Sequence, residues 1–144
     1  MKRKSKKSRS AFTLIEVVVV IVILVTLASI ATPLYMNYLK KANRDAAKVG
    51  VNNLKNAVET FRVHVGRYPE TLQELIDKPE DDENWSGPYL EKVPKDPWGN
   101  EYVYNNPGEN ERPYDIICYG ADGQPGGEGE NADITSYDGS EDKK

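Results

Sequence analysis

A chain of 144 residues has room for one ordinary domain and little more. Its net charge of −4 hides a division: residues 1–11 carry six cations and no acid, leaving 13 cations against 23 acids, about −10, on residues 12–144. That acidic body offers no basic face for nucleic acid, the single Cys118 excludes an internal disulfide framework or a cysteine-rich zinc site, and the single His64 argues against a histidine triad or histidine-rich metal centre.

The first 40 residues read as a membrane element. Lys2, Arg3, Lys4, Lys6, Lys7 and Arg9 precede a stretch of 23 residues, Val17 to Leu39, without a charge. At about 1.5 Å per residue a helix of that length crosses a hydrocarbon core of about 30 Å. Cations directly before the span place the N-terminus in the cytoplasm. A cleaved secretory signal has a shorter apolar region followed by a small-residue cleavage site, and none precedes Lys40. An uncleaved anchor is the plain alternative.

Glu16 stands near the start of this apolar segment, where a carboxylate costs a few kcal/mol towards the middle of a bilayer. No Lys, Arg or His lies between Ala11 and Lys40 to pair with it. Two readings stand at this point. Either Glu16 sits at the membrane surface, where its cost is small, or it meets a cation from a neighbouring copy or from a new amino terminus made near Phe12.

Beyond the span, Ala47, Val51, Leu54, Val58, Phe61 and Val65 recur at alternating spacings of four and three, the mark of one helical face. Gly66 is a fitting stop. A helix from about Thr13 to Val65 would be on the order of 80 Å long. Pro33 lies inside it and invites a kink or local melting, with Gly50 a second weak point. A broken turn in lipid has to be satisfied by other protein, which points to packing between copies. An ordinary coiled coil has the same spacing.

In the remaining chain, residues 66–76 suggest a loop and a short helix starting at Pro69 or Thr71. An acidic exposed loop follows at 77–87. Tyr102-Val103-Tyr104 and residues 114–119 predict two short strands, with the turn around Asn105-Asn106-Pro107-Gly108. Cys118 reads as a small core residue, His64 as a surface or half-buried side chain, and Trp85, Trp98 and the tyrosines as packing. Residues 122–133 hold Asp122, Glu128, Glu130 and Asp133 among glycines, oxygen-rich and low in bulk, as a hard cation such as calcium requires. The segment lacks the EF-hand pattern, and a flexible loop that binds nothing has the same composition.

Ala11-Phe12-Thr13-Leu14-Ile15-Glu16-Val17 behind a short basic leader resembles the class III signal of type IV pilins and pseudopilins. The resemblance implies cleavage between Ala11 and Phe12 by a prepilin peptidase and N-methylation of Phe12. It also implies that Glu16 pairs with the N-terminal amine of an adjacent subunit. Ala11 stands where the family usually has glycine.

Further on, Gly87-Pro88-Tyr89-Leu90, Val93-Pro94-Lys95-Asp96-Pro97-Trp98-Gly99-Asn100 and Tyr119-Gly120-Ala121-Asp122-Gly123-Gln124-Pro125-Gly126-Gly127-Glu128-Gly129 resemble the protein G subfamily of type II secretion pseudopilins. That resemblance implies an α+β pilin-like fold, with a long N-terminal helix on a small head that has a short antiparallel sheet. Its parts would be a leader (1–11), a transmembrane and fibre-core helix (12–39), an amphipathic continuation (40–66), a periplasmic head (67–138) and a disordered tail (139–144). It implies a calcium site using Asp122, Asp133 and the Tyr119 carbonyl, without choosing among the carbonyls between Gln124 and Asn131. The function implied is structural rather than enzymatic: a major subunit polymerising from the inner membrane into a fibre that drives folded proteins through an outer-membrane channel, with Glu16 and Pro33 serving assembly. Partners would be further copies, minor pseudopilins, an inner-membrane platform with its cytoplasmic ATPase, the peptidase and the secretin, with no nucleic acid. A pilin for adhesion or motility, and a membrane-anchored calcium-dependent binding domain, are the alternatives.

Overall fold

The computed structural model describes residues 12–137, so the leader with Ala11 and the tail at 139–144 lie outside the described residues. A single helix, α1, runs Leu14–Val65 over 52 residues. A 3₁₀ turn at Leu72–Leu75 follows, then β1 (Val103–Asn105), β2 (Asp115–Cys118), a second 3₁₀ turn at Gly129–Asn131, and β3 (Ile134–Thr135). Compact units divide between Tyr38 and Leu39.

In the first unit every residue from Phe12 onward is exposed, including Val17 to Val25 without a break. The helix is long and apolar enough to cross a membrane. Pro33 lies inside it and helical structure continues on both sides. Polar side chains fold back onto the helix: Thr26 Oγ1 donates to the Val22 carbonyl (2.8 Å), Ser29 Oγ to Thr26 (2.7 Å) and Thr32 Oγ1 to Ala28 (2.8 Å). No hydroxyl among these three is left without a partner, which an apolar medium demands.

In the second unit α1 becomes one-sided. Ala47, Val51, Leu54, Val58 and Phe61 are buried as their spacing predicts, with Ala57 added and Val65 half-buried at the edge. Burying a Val, Leu or Phe side chain fully is worth about 1.5–3 kcal/mol, so this face holds the head together. It packs with Leu72, Leu75, Tyr102, Tyr114, Ile116, Cys118 and Ile134 in one core. Gly66 ends the helix at φ +89°, its N–H returning to the Arg62 carbonyl (2.8 Å).

The sheet has three antiparallel strands in the order β1-β2-β3, with Tyr104 opposite Ile116 and Cys118 opposite Ile134. β3 is one more strand than the sequence predicts, because two residues leave no alternation to read. The anticipated short helix is a single 3₁₀ turn after Thr71, whose side chain makes no capping bond. The Arg67-Tyr68-Pro69 segment braces this region. Arg67 reaches Glu74 (2.9 Å) and Asp82, and the Pro69 carbonyl accepts from Tyr104 Oη and Asn106 Nδ2, both 2.8 Å.

Gly50 serves packing rather than weakness. A Cβ there would lie 2.0 Å from Tyr102 Oη and 2.9 Å from Cζ, so its absence lets the tyrosine ring lie against the helix. Tyr102 is buried, and that burial pushes its phenol up to about 12. Gly50→Ala is therefore expected to lower the melting midpoint, by about 1–3 kcal/mol of overpacking, despite alanine's better helix propensity. Adding Tyr102→Phe should recover part of that loss; a rise in melting temperature from Gly50→Ala alone would contradict this packing.

Asp115 opens β2 fully buried. It accepts from Arg112 Nε (2.6 Å) and Nη2 (3.1 Å) and from the Glu109 N–H (2.8 Å), while Arg112 stacks 3.7 Å from the Tyr137 ring centroid. The Arg112 hydrogen bond holds the Asp115 carboxyl below the ordinary carboxylate range. A lowered native pKa gives stability that is present above the ordinary value and lost as pH falls through the native one. Acid titration of unfolding should show this loss, and Asp115→Asn should flatten the acid limb while lowering stability at neutral pH.

Candidate functional site

Two places carry the predicted functional residues, one in each unit. At the helix start, Glu16 Oε2 accepts from the Thr13 N–H (2.8 Å) and from Thr13 Oγ1 (3.0 Å), while Thr13 Oγ1 accepts from the Glu16 N–H (3.3 Å). This reciprocal pair is a capping box, spelled in the sequence by Thr13-Leu14-Ile15-Glu16. Glu16 thus has a use within its own chain, accepting the Thr13 N–H while Thr13 Oγ1 accepts its own, two groups that the helix start leaves open. Phe12, directly before the cap, is 86% exposed. A free amine at Phe12 would lie one residue from the Thr13 N–H that Glu16 already accepts.

The C-terminal loop is the second place. It leaves β2 at Tyr119 and returns at β3, and Gly120, Gly123, Gly126, Gly127 and Gly129 all adopt positive φ. Gly120 is the tightest: a Cβ there would sit 2.7 Å from the Glu130 carbonyl oxygen and from the Asn131 carbonyl carbon. The loop closes on itself where the Ala121 N–H donates to the Glu130 carbonyl (3.1 Å). Asp133 accepts the Gly126 N–H with both oxygens, each at 3.0 Å, and exposed Asp122 accepts the Gln124 N–H at 3.2 Å.

A hard cation fits this donor set in kind. Two carboxylates belong to one glycine-rich loop, and five of its glycines adopt positive φ, a backbone path on which bulkier side chains would be strained. Among the described residues no three His, Cys, Asp or Glu side chains gather as a metal-holding group. Carbonyl oxygens would therefore have to complete the shell of Asp122 and Asp133.

The Asp96-Pro97-Trp98-Gly99-Asn100 phrase supports the loop from outside. Buried Asp96 accepts the N–H groups of Trp98 (3.0 Å) and Asn100 (2.8 Å) through Oδ1, and Cys118 Sγ donates to Oδ2 (3.4 Å). From that turn Asn100 Nδ2 donates to the Gly120 carbonyl (3.2 Å) and Trp98 Nε1 to Glu130 Oε1 (3.2 Å). Burial pushes the Cys118 thiol up to about 11, which suits a packing residue and not a thiolate nucleophile. His64 is exposed, with Nδ1 2.7 Å from Ser86 Oγ and 3.1 Å from Tyr89 Oη.

Comparison with known proteins matches both places. The family described as "Type II secretion system (T2SS), protein G" matches residues 34–137. The chain belongs to this family. The "Prokaryotic N-terminal methylation motif" matches residues 6–32, across the leader and Glu16. The type II secretion system core protein G of Pseudomonas aeruginosa is 38% identical over 140 residues, 92% of this chain and 98% of its own length. That of Vibrio cholerae serotype O1 is 40% identical over 111 residues, 73% of this chain and 75% of its own. Among solved structures, the major pseudopilin of enterohaemorrhagic Escherichia coli superposes with a TM-score of 0.59 at 30% identity, covering 72% of this chain and 93% of that one. The protein is thus a type II secretion pseudopilin, with the pilin-like α+β fold that its sequence resembles.

Proposed function

We propose that the chain is the repeating subunit of a pseudopilus that grows from the inner membrane, with its N-terminus in the cytoplasm and its head in the periplasm. The observation that carries this reading is the exposed apolar face of α1: every residue from Phe12 to Ala42 is exposed, far more apolar surface than a lone soluble chain leaves uncovered. Lipid covers that surface before assembly and neighbouring copies cover it afterwards. Identical subunits joined head to tail without closing a ring form an open helical fibre.

Glu16 then changes partners. In the membrane-resident chain its carboxylate caps its own helix. Once the leader is cut between Ala11 and Phe12, the N-methylated amine of Phe12 on an adjacent subunit supplies a cation. In the low dielectric of a fibre core, pairing offsets part of the cost of burying the carboxylate. No phosphate-binding loop occurs in the sequence, so the work of extraction comes from an ATPase acting through an inner-membrane platform. Minor pseudopilins and an outer-membrane secretin complete the set of partners.

The C-terminal loop binds calcium through Asp122, Asp133 and the Tyr119 carbonyl. Bound calcium supplies positive charge that neutralises the Asp122 and Asp133 carboxylates and fixes the loop. Binding to the folded state alone stabilises it by RT ln(1 + [L]/Kd).

Two experiments test these points. Glu16→Ala is expected to insert and be processed but to assemble poorly, and normal fibres would overturn the exchange of partners. For the loop, calcium should raise the melting temperature of the full chain in detergent micelles. Asp122→Ala combined with Asp133→Ala should abolish the rise, and an unshifted wild type would remove calcium from the account.

A further inference from the structure

Arg44 lies on α1 just beyond the apolar segment. Its Nη1 donates to two loop carbonyls at once, Gly129 at 2.6 Å and Ala132 at 2.9 Å. Lys40, one turn earlier, pairs with Glu130 Oε2 at 3.3 Å, and the other oxygen of Glu130 accepts from Trp98 Nε1. The two carbonyls bracket the 3₁₀ turn Gly129–Asn131, and Ala132 directly precedes Asp133. Convergence of main-chain carbonyls on one point is the arrangement that holds a cation, and here the cation is a guanidinium delivered by the helix. Each of the Gly129 and Ala132 oxygens thus accepts from Arg44, which fixes the chain at both ends of this turn.

We infer that Arg44, held between the Gly129 and Ala132 carbonyls, is the positioning residue that sets the backbone carrying Asp133 and ties calcium occupancy of the loop to residues 40–47 of α1. The inference rests on the calcium reading above. If Arg44 fixes the chain entering Asp133, the backbone bearing that carboxylate needs less ordering to meet the ion, and affinity gains from that preorganisation. Linkage makes the effect reciprocal: calcium that favours the clamped loop also favours the helical turn that bears the clamp. Lys40 adds charge on the same side through Glu130.

The test uses the full chain in detergent micelles with calcium chloride as the probe. Calorimetry gives the affinity and amide hydrogen exchange reports residues 41–47. Partners that orient metal ligands typically cost on the order of 10–100-fold in affinity when lost, so Arg44→Gln should weaken binding by about that factor. Calcium should slow exchange at 41–47 in the wild type and not in Arg44→Gln, while Arg44→Lys, which keeps a cation and its donors, should restore part of both effects. Wild-type affinity and wild-type slowing in Arg44→Gln would overturn the inference and leave the calcium site standing. A wild type that binds no calcium would overturn both. Equal melting temperatures of the variants in EDTA separate loss of the clamp from failure to fold.

Discussion

One helix has to satisfy two different surroundings, and the rest of the molecule depends on how it does so. Over Val17 to Leu39 α1 is uncharged all round and exposed all round, so nothing among the described residues covers it. From Ala47 to Phe61 the same helix presents one apolar stripe, and a core of aromatic and aliphatic side chains closes over it. Covering the first stretch requires lipid or other subunits; the second is satisfied internally. This division places polymerisation in one half of the helix and folding stability in the other.

At the helix start, the single carboxylate is bonded within its own chain. Glu16 bonded to Thr13 costs less than a bare carboxylate because two donors already satisfy it. That bonding is local, confined to residues three apart at the exposed helix start. In the head, the loop at 119–133 shows the opposite logic. It is bound from several sides, by Asn100, Trp98, Arg44 and its own Asp133, so ordering is spread over many weak contacts.

The buried face of α1 was legible in the sequence because alternating spacings of four and three have few other meanings, and every spaced residue from Ala47 to Phe61 is buried. The loop was legible as a cation candidate from its glycines and acids, but not the residues that brace it. Arg44 and Lys40 lie about 90 residues from the loop they touch, and no local pattern announces such contacts. β3 has two residues, too few for an alternation to show, and the tyrosine that packs on Gly50 comes from a distant segment. The capping box was written in plain residues, Thr13 and Glu16. Its short-range hydrogen bonds offset part of the cost that the Glu16 charge carries in an apolar segment.

The central claim is that Glu16 leaves its own Thr13 for the amine of a neighbouring Phe12. The most direct measurement is the structure of the assembled fibre at side-chain resolution by electron cryo-microscopy. Each Glu16 carboxylate is expected within about 4 Å of the processed Phe12 nitrogen of an adjacent subunit, the reach of an ion pair. Fibres in which Glu16 remains bonded to Thr13 alone, with the Phe12 amines elsewhere, would contradict it.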